Sequence, residues 1–98
     1  MEANGARGEV TAMLAGAERR LCLTLGALAE IETALGLEGL SGLAERMRVL
    51  SARDLQAVLW ALLKAGGEWD LADKPALASV DPREAAEAVA KAFSAAAG

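Results

Sequence analysis

The spacing of apolar residues changes period at Thr24, and that change constrains the fold more than any other feature of the chain. Before it the residues alternate. Val10, Ala12 and Leu14 share one face of the run Glu9-Val10-Thr11-Ala12-Met13-Leu14, and in Glu18-Arg19-Arg20-Leu21-Cys22-Leu23 the pair Leu21 and Leu23 opposes Arg20 and Cys22. A period of two belongs to a strand covered on one side only. The connection Ala15-Gly16-Ala17 carries a glycine, so the two runs read as a β-hairpin. A lone hairpin is marginal in water and its edges invite further pairing, so one face must lie on helices.

After Thr24, a residue able to cap the N–H groups that follow, Leu25, Leu28, Ile31 or Glu32, and Leu35 recur at helical intervals until Gly36, which predicts a helix over 25–35. Leu40, Leu43, Met47 and Leu50 then form the stripe of a short amphipathic helix. Ser51-Ala52-Arg53-Asp54 places an acid three residues after a serine, a variant of the capping box. It opens a helix whose apolar face is Leu55, Val58, Leu59, Leu62 and Leu63 and which Gly66-Gly67 closes. No Lys-Ser/Thr follows those glycines, so they are a helix stop and not a phosphate loop.

From Glu68 to Val80 no period is sustained, and the stretch reads as a connecting loop with at most a helical turn, long for so small a domain. Asp81-Pro82-Arg83-Glu84 is a strong helix start, with an Asp cap and Pro at the first helical position, and the helix should run to about Ser94. Its inward face is Ala85, Ala88, Val89, Ala92 and Phe93, of which only two exceed Ala in size, so it is expected to dock loosely. Residues 1–8 are small, polar and glycine-bearing and are expected to be a flexible N-terminus. The expected fold is α+β and mostly helical: an N-terminal β-hairpin followed by a small bundle of about four helices, forming one domain over 9–98.

Composition supports that reading and narrows the function. Ala (24) and Leu (16) occupy 40 of 98 positions against two Trp and one Phe, a balance that favours helix over sheet. A core of Leu and Ala is thin, and a domain this small hides only roughly 60% of the surface of its unfolded chain, so self-association into a homo-oligomer is an expectation. With no His and one Cys, neither a zinc site nor a Ser-His-Asp or Cys-His unit can be assembled, so no enzyme and no cofactor are expected. Ten Lys+Arg against 14 Asp+Glu, with no basic cluster beyond Arg19/Arg20 and Arg46/Arg48, offer no track for phosphates. Nucleic acid is therefore not an expected partner. The single Cys22 requires no oxidising compartment and reads as an inert hydrophobe. No signal-like apolar stretch opens the chain and no window approaches a membrane span, so the protein is expected to be cytoplasmic, with no membrane partner.

Among individual side chains, Glu30 and Glu32 point about 200° apart on a helix and cannot share a site, while Asp70 and Asp73 could at most hold a cation weakly and read better as a solvated loop. Gly26 reads as the place where the hairpin approaches the first helix. Trp60 lies at the edge of its helix's apolar stripe, and Trp69 lies in the connection; both are candidate partner-binding residues because binding energy concentrates at Trp. A core plug is the other reading of Trp69. Val89 and Phe93 complete the candidate surface, which movement of the last helix would expose.

The segment Gly8-Glu9-Val10, the run from Arg20 to Glu32 and Ser51-Ala52-Arg53-Asp54-Leu55 resemble the small proteins encoded in the clusters for gene transfer agents, which are phage-tail-derived particles; that protein family is grouped with phage tail assembly chaperones. The resemblance covers roughly Gly8 to Gly67 and is most recognisable at Leu23-Thr24-Leu25-Gly26-Ala27-Leu28. It implies a non-enzymatic chaperone of tail morphogenesis in a gene transfer agent or prophage. Such a chaperone would bind the tape measure protein and, as a further partner, the tail tube protein. The alternative from another class is a small helical DNA-binding regulator, since two helices joined tightly at Leu50-Ser51 are superficially similar to a helix-turn-helix. A recognition helix over 52–65 would offer only Arg53, Gln56 and Lys64.

Overall fold

The computed structural model describes residues 9–72 and 74–97, apart from the side chains at 40, 41, 44, 74, 75 and 97. The expectations placed on residues 1–8, on Asp73 as a partner of Asp70, and on the side chain of Leu40 lie outside them.

Two antiparallel strands, β1 (Glu9–Leu14) and β2 (Ala17–Cys22), pair in the register Val10↔Leu21, Ala12↔Arg19 and Leu14↔Ala17. The connection is two residues, Ala15 and Gly16, not three. Both adopt positive φ, 54° and 82°, the backbone of a primed turn whose twist matches that of the strands it joins. The alternation works as the pattern predicts. Leu14 and Leu21 are fully buried, Val10 and Ala12 half-buried, and Thr11 and Met13 face solvent.

The helix α1 (Leu25–Leu35) starts where Thr24 Oγ1 accepts from the Ala27 N–H at 3.0 Å. It ends at Gly36, with the Leu37 N–H returning to the Glu32 carbonyl at 2.8 Å. Its buried residues are Ala27, Ile31 and Leu35, with Leu28 packed at the margin, whereas Leu25 is 83% exposed. Leu25 lies two residues, about 200° around the helix, from Ala27, so the face that buries Ala27 turns Leu25 outward. A short α2 (Leu40–Arg46) follows and buries Leu43. Beyond it Met47 and Leu50 pack on the core without being helical, and Val49 is exposed.

The capping box at α3 (Ala52–Ala65) forms in full: Ser51 Oγ accepts from the Asp54 N–H and Asp54 Oδ2 accepts from the Ser51 N–H. Asp54 also receives two bonds from the Arg46 guanidinium at 2.8 and 3.1 Å, and the remaining Arg46 nitrogen donates to the Leu35 carbonyl at 3.1 Å. One arginine thus joins the end of α1, the end of α2 and the start of α3. The helix α3 is the hub, contacting α1, β2, α5 and the short α4 (Lys74–Ala78), with Val58, Leu59, Leu62 and Leu63 at 1% exposure or less.

One expectation needs correction. The close approach of the hairpin is not at Gly26, where an added Cβ would meet only Thr24 Oγ1 at 3.8 Å, but at Gly66, where it would stand 2.3 Å from the Arg20 carbonyl oxygen. The last helix, α5 (Pro82–Ala97), turns inward the face that its pattern predicts. It runs past Ser94 and lies across β1 and α3 with Ala85, Ala88, Val89 and Ala92 all at 5% exposure or less. Small side chains bring the helix axis close to the sheet, so backbone and Cβ contacts replace the bulk that the sequence lacks. The connection before α5 also contributes, since Leu71, Ala72, Leu77 and Val80 are buried.

Candidate functional site

With the inner face of α3 fixed in the core, its outer face presents Arg53, Gln56, Ala57, Trp60 and Lys64, a stripe at intervals of three and four. Trp60 is half-buried and packs against the core margin. The Lys64 ammonium stands 3.9 Å from the centre of its ring and donates to Glu30 Oε2 at 2.6 Å. The cation is therefore held between an indole and a carboxylate, which ties α1 to α3 and fixes the ring. An interaction of this kind contributes about 0.5–1 kcal/mol at an exposed site.

On one side of Trp60 opens a groove of about 540 Å³, bounded by Arg53, Gln56 and Ala57 of α3 and by Leu77 and Ala78 of α4. A neighbouring hollow shares Arg53, Gln56, Leu77 and Ala78 and continues to Val80, Pro82 and Ala85 at the start of α5. Together they form a trough across α3, apolar along its floor, with one guanidinium and one amide on its wall. On the opposite side Trp60 borders a shallow hollow with Ala29, Glu30, Thr33 and Ala34 of α1. An apolar trough walled by helices suits the apolar face of another helix.

Trp69 is 64% exposed, which removes the core-plug reading. Its placement follows from the acids on either side: Glu68 accepts from the Arg20 N–H at 2.9 Å, and the Arg19 guanidinium reaches Glu68 at 3.5 Å and Asp70 at 3.2 Å. These bonds strap the segment after α3 onto β2 and leave the indole between them facing out. Trp69 borders a small hollow with Gly26, Glu30 and Lys64. Lys64 therefore lies between the two tryptophans. Val89 and Phe93 are not brought to this surface: Val89 is 1% exposed in the core and Phe93 is half-buried against it, because the apolar side of α5 turns toward β1 and α3. Arg53, Gln56, Leu77 and Ala78 were not among the sequence candidates. The i, i+3, i+4 and i+7 positions around Trp60 pointed to the first two; Leu77 and Ala78 reach the groove only through the fold.

Among titratable groups, the Arg46 guanidinium holds the Asp54 carboxyl below its ordinary value, opposed by burial, and Arg19 does the same for Asp70. Burial, aided by Glu9, pushes the Cys22 thiol up. Among the described residues no group of three or more His, Cys, Asp or Glu side chains could hold a metal ion, and no helix is long and apolar enough to cross a membrane.

Residues 7–98 match the family described as phage tail tube protein, GTA-gp10. No curated protein and no solved structure matches the chain.

Proposed function

The chain belongs to the GTA-gp10 phage tail tube protein family, a gene transfer agent family with a phage-tail role, and from that premise we propose that it is a non-enzymatic tail assembly chaperone that binds the tape measure protein. The observation that carries the reading is the apolar trough beside Trp60, a surface fitted to an amphipathic helix and supported by a fixed aromatic anchor. A tape measure is a long helical protein with apolar stripes, and coating it calls for repeated copies of such a trough. The acidic balance of the chain, 14 Asp+Glu to 10 Lys+Arg, would keep a coated assembly soluble.

A DNA-binding role is disfavoured on the same surface. Of the three polar residues that α3 would offer to a groove, Lys64 is engaged by Glu30 and Trp60. The second reading is that the protein is a tube subunit that stays in the particle, which the description of the family favours.

Co-expression with the tape measure encoded in the same cluster tests the proposal. Wild type should keep the tape measure soluble and co-purify with it, and Trp60→Ala together with Ala57→Glu, which places a charge on the trough floor, should recover much less. Equal insolubility with and without this protein, with no complex recovered, sinks the chaperone reading. Stoichiometric presence of the protein in purified mature particles favours the tube subunit.

A further inference from the structure

The hairpin has two edges, and the fold treats them differently. With a two-residue connection and Leu14↔Ala17 as the closing pair, the residues that exchange backbone hydrogen bonds are Leu14/Ala17, Ala12/Arg19 and Val10/Leu21. The N–H and C=O groups of Arg20 therefore point away from β1, and those of Thr11 and Met13 point away from β2. The β2 edge is covered at its centre: Glu68 takes the Arg20 N–H at 2.9 Å, and the backbone of Gly66 lies against the Arg20 carbonyl. The β1 edge is covered at one point, where the Lys91 ammonium donates to the Thr11 carbonyl at 2.6 Å. Among the described residues nothing else bonds the outward groups of Thr11 and Met13, and Met13 is 57% exposed.

Alongside this edge runs a hollow of about 270 Å³ lined by Ala12, Met13, Glu84, Glu87, Ala88 and Lys91. A strand added to β1 would place alternate side chains over α5, toward Glu84 and Glu87, and the others beside Met13. The bond to the neutral Thr11 carbonyl leaves Lys91 its charge, but the two carboxylates outnumber it, so the hollow is net negative. A second copy of this chain fits poorly. Its β1 would bring Val10, Ala12 and Leu14 over the carboxylates, and the one basic residue on the matching face of its β2, Arg19, is held by Glu68 and Asp70.

We propose that the β1 edge is a second docking site, separate from the Trp60 trough, which takes an extended segment of a partner protein in which Lys or Arg alternates with β-branched residues, added as a third strand and paired by charge with Glu84 and Glu87. Lys91 guards the edge while it is empty and gives up the Thr11 carbonyl when the strand arrives. Exposed edges with a lysine across them are a recognised means of keeping a strand from pairing indiscriminately.

The test is a titration of isotopically labelled full-length protein with the synthetic peptide acetyl-Thr-Lys-Val-Lys-Val-Lys-Thr-amide, followed by amide NMR. Binding should move and slow the exchange of the Thr11 and Met13 amides, leaving the Trp60 indole unmoved. The same peptide with Glu for Lys should not bind, and Glu84→Lys with Glu87→Lys should weaken binding of the Lys peptide about tenfold, the scale of two surface ion pairs turned repulsive. Lys91→Met, which frees the Thr11 carbonyl, should strengthen binding severalfold. Two outcomes overturn the proposal. One is equal binding of the Glu and Lys peptides, or shifts confined to the trough. The other is protection of the Thr11 amide in a dimer of wild type alone, which would assign the edge to a second copy.

Discussion

Several positions of this chain respond to substitution for reasons that are local and measurable. At Gly66 a methyl group would stand 2.3 Å from the Arg20 carbonyl oxygen, and that obstacle is backbone, which cannot swing aside. Gly66→Ala should therefore destabilise by about 1–3 kcal/mol in thermal or denaturant unfolding, the usual range for overpacking. Gly26→Ala should raise stability by about 0.5–1 kcal/mol, since that site is helical, has room, and gains helix propensity. Ala15 sits at φ 54°, a conformation that favours Asn and Gly, so Ala15→Asn should also stabilise, by about 0.5–1 kcal/mol. Asp54 adds a dependence on pH. Its folded-state carboxyl lies below the ordinary range because of Arg46, so its contribution is present above the unfolded value near ~4 and is lost as the pH falls through that value and the lower folded one. Asp54→Asn should lower the melting temperature at neutral pH, and the gap from wild type should narrow steadily below about pH 4.

At the scale of elements, the informative case is α5. A face of Ala85, Ala88, Val89 and Ala92 looks too small to hold a helix, yet all four are buried because the helix lies close over β1 and α3. Close packing of small residues leaves no slack, so Ala92→Leu should cost about 1–3 kcal/mol, although it makes the residue more apolar. An unchanged melting temperature in that variant would show that α5 stands off the core. For α3, Leu59→Ala should cost about 2–5 kcal/mol, because Leu59 is 1% exposed at the hub of the fold.

For the whole molecule, both proposed docking sites are surfaces that the fold leaves uncovered. The Trp60 trough and the β1 edge are lined by different residues and are expected to fail separately. A change on the trough floor such as Ala57→Glu should reduce recovery of the tape measure without altering amide exchange at Thr11, whereas reversal of Glu84 and Glu87 should leave tape measure solubility intact. A fluorescence-polarisation titration with duplex DNA at physiological salt should show no binding tighter than micromolar.

The sequence by itself determined most of the elements, because their signals are local, though not α4 or the end of α2 at Arg46. The change of period at Thr24, the caps at Thr24, Ser51 and Asp81, and the stops at Gly36 and Gly66-Gly67 each act within a few residues, and the structure has a helix boundary at every one. It also gave the right inner face for α3, whose apolar stripe is dense. Only the tertiary structure decided which of two possible faces α1 buries, that Gly66 and not Gly26 receives the hairpin, and that Trp69 points outward while Val89 points in. Those outcomes depend on partners far away in sequence. Arg19 and Arg20 reach Glu68 and Asp70 across some 50 positions, and Lys91 reaches Thr11 across 80. No pattern within one segment carries such pairings, because they are fixed when the elements pack and compete for the same limited core.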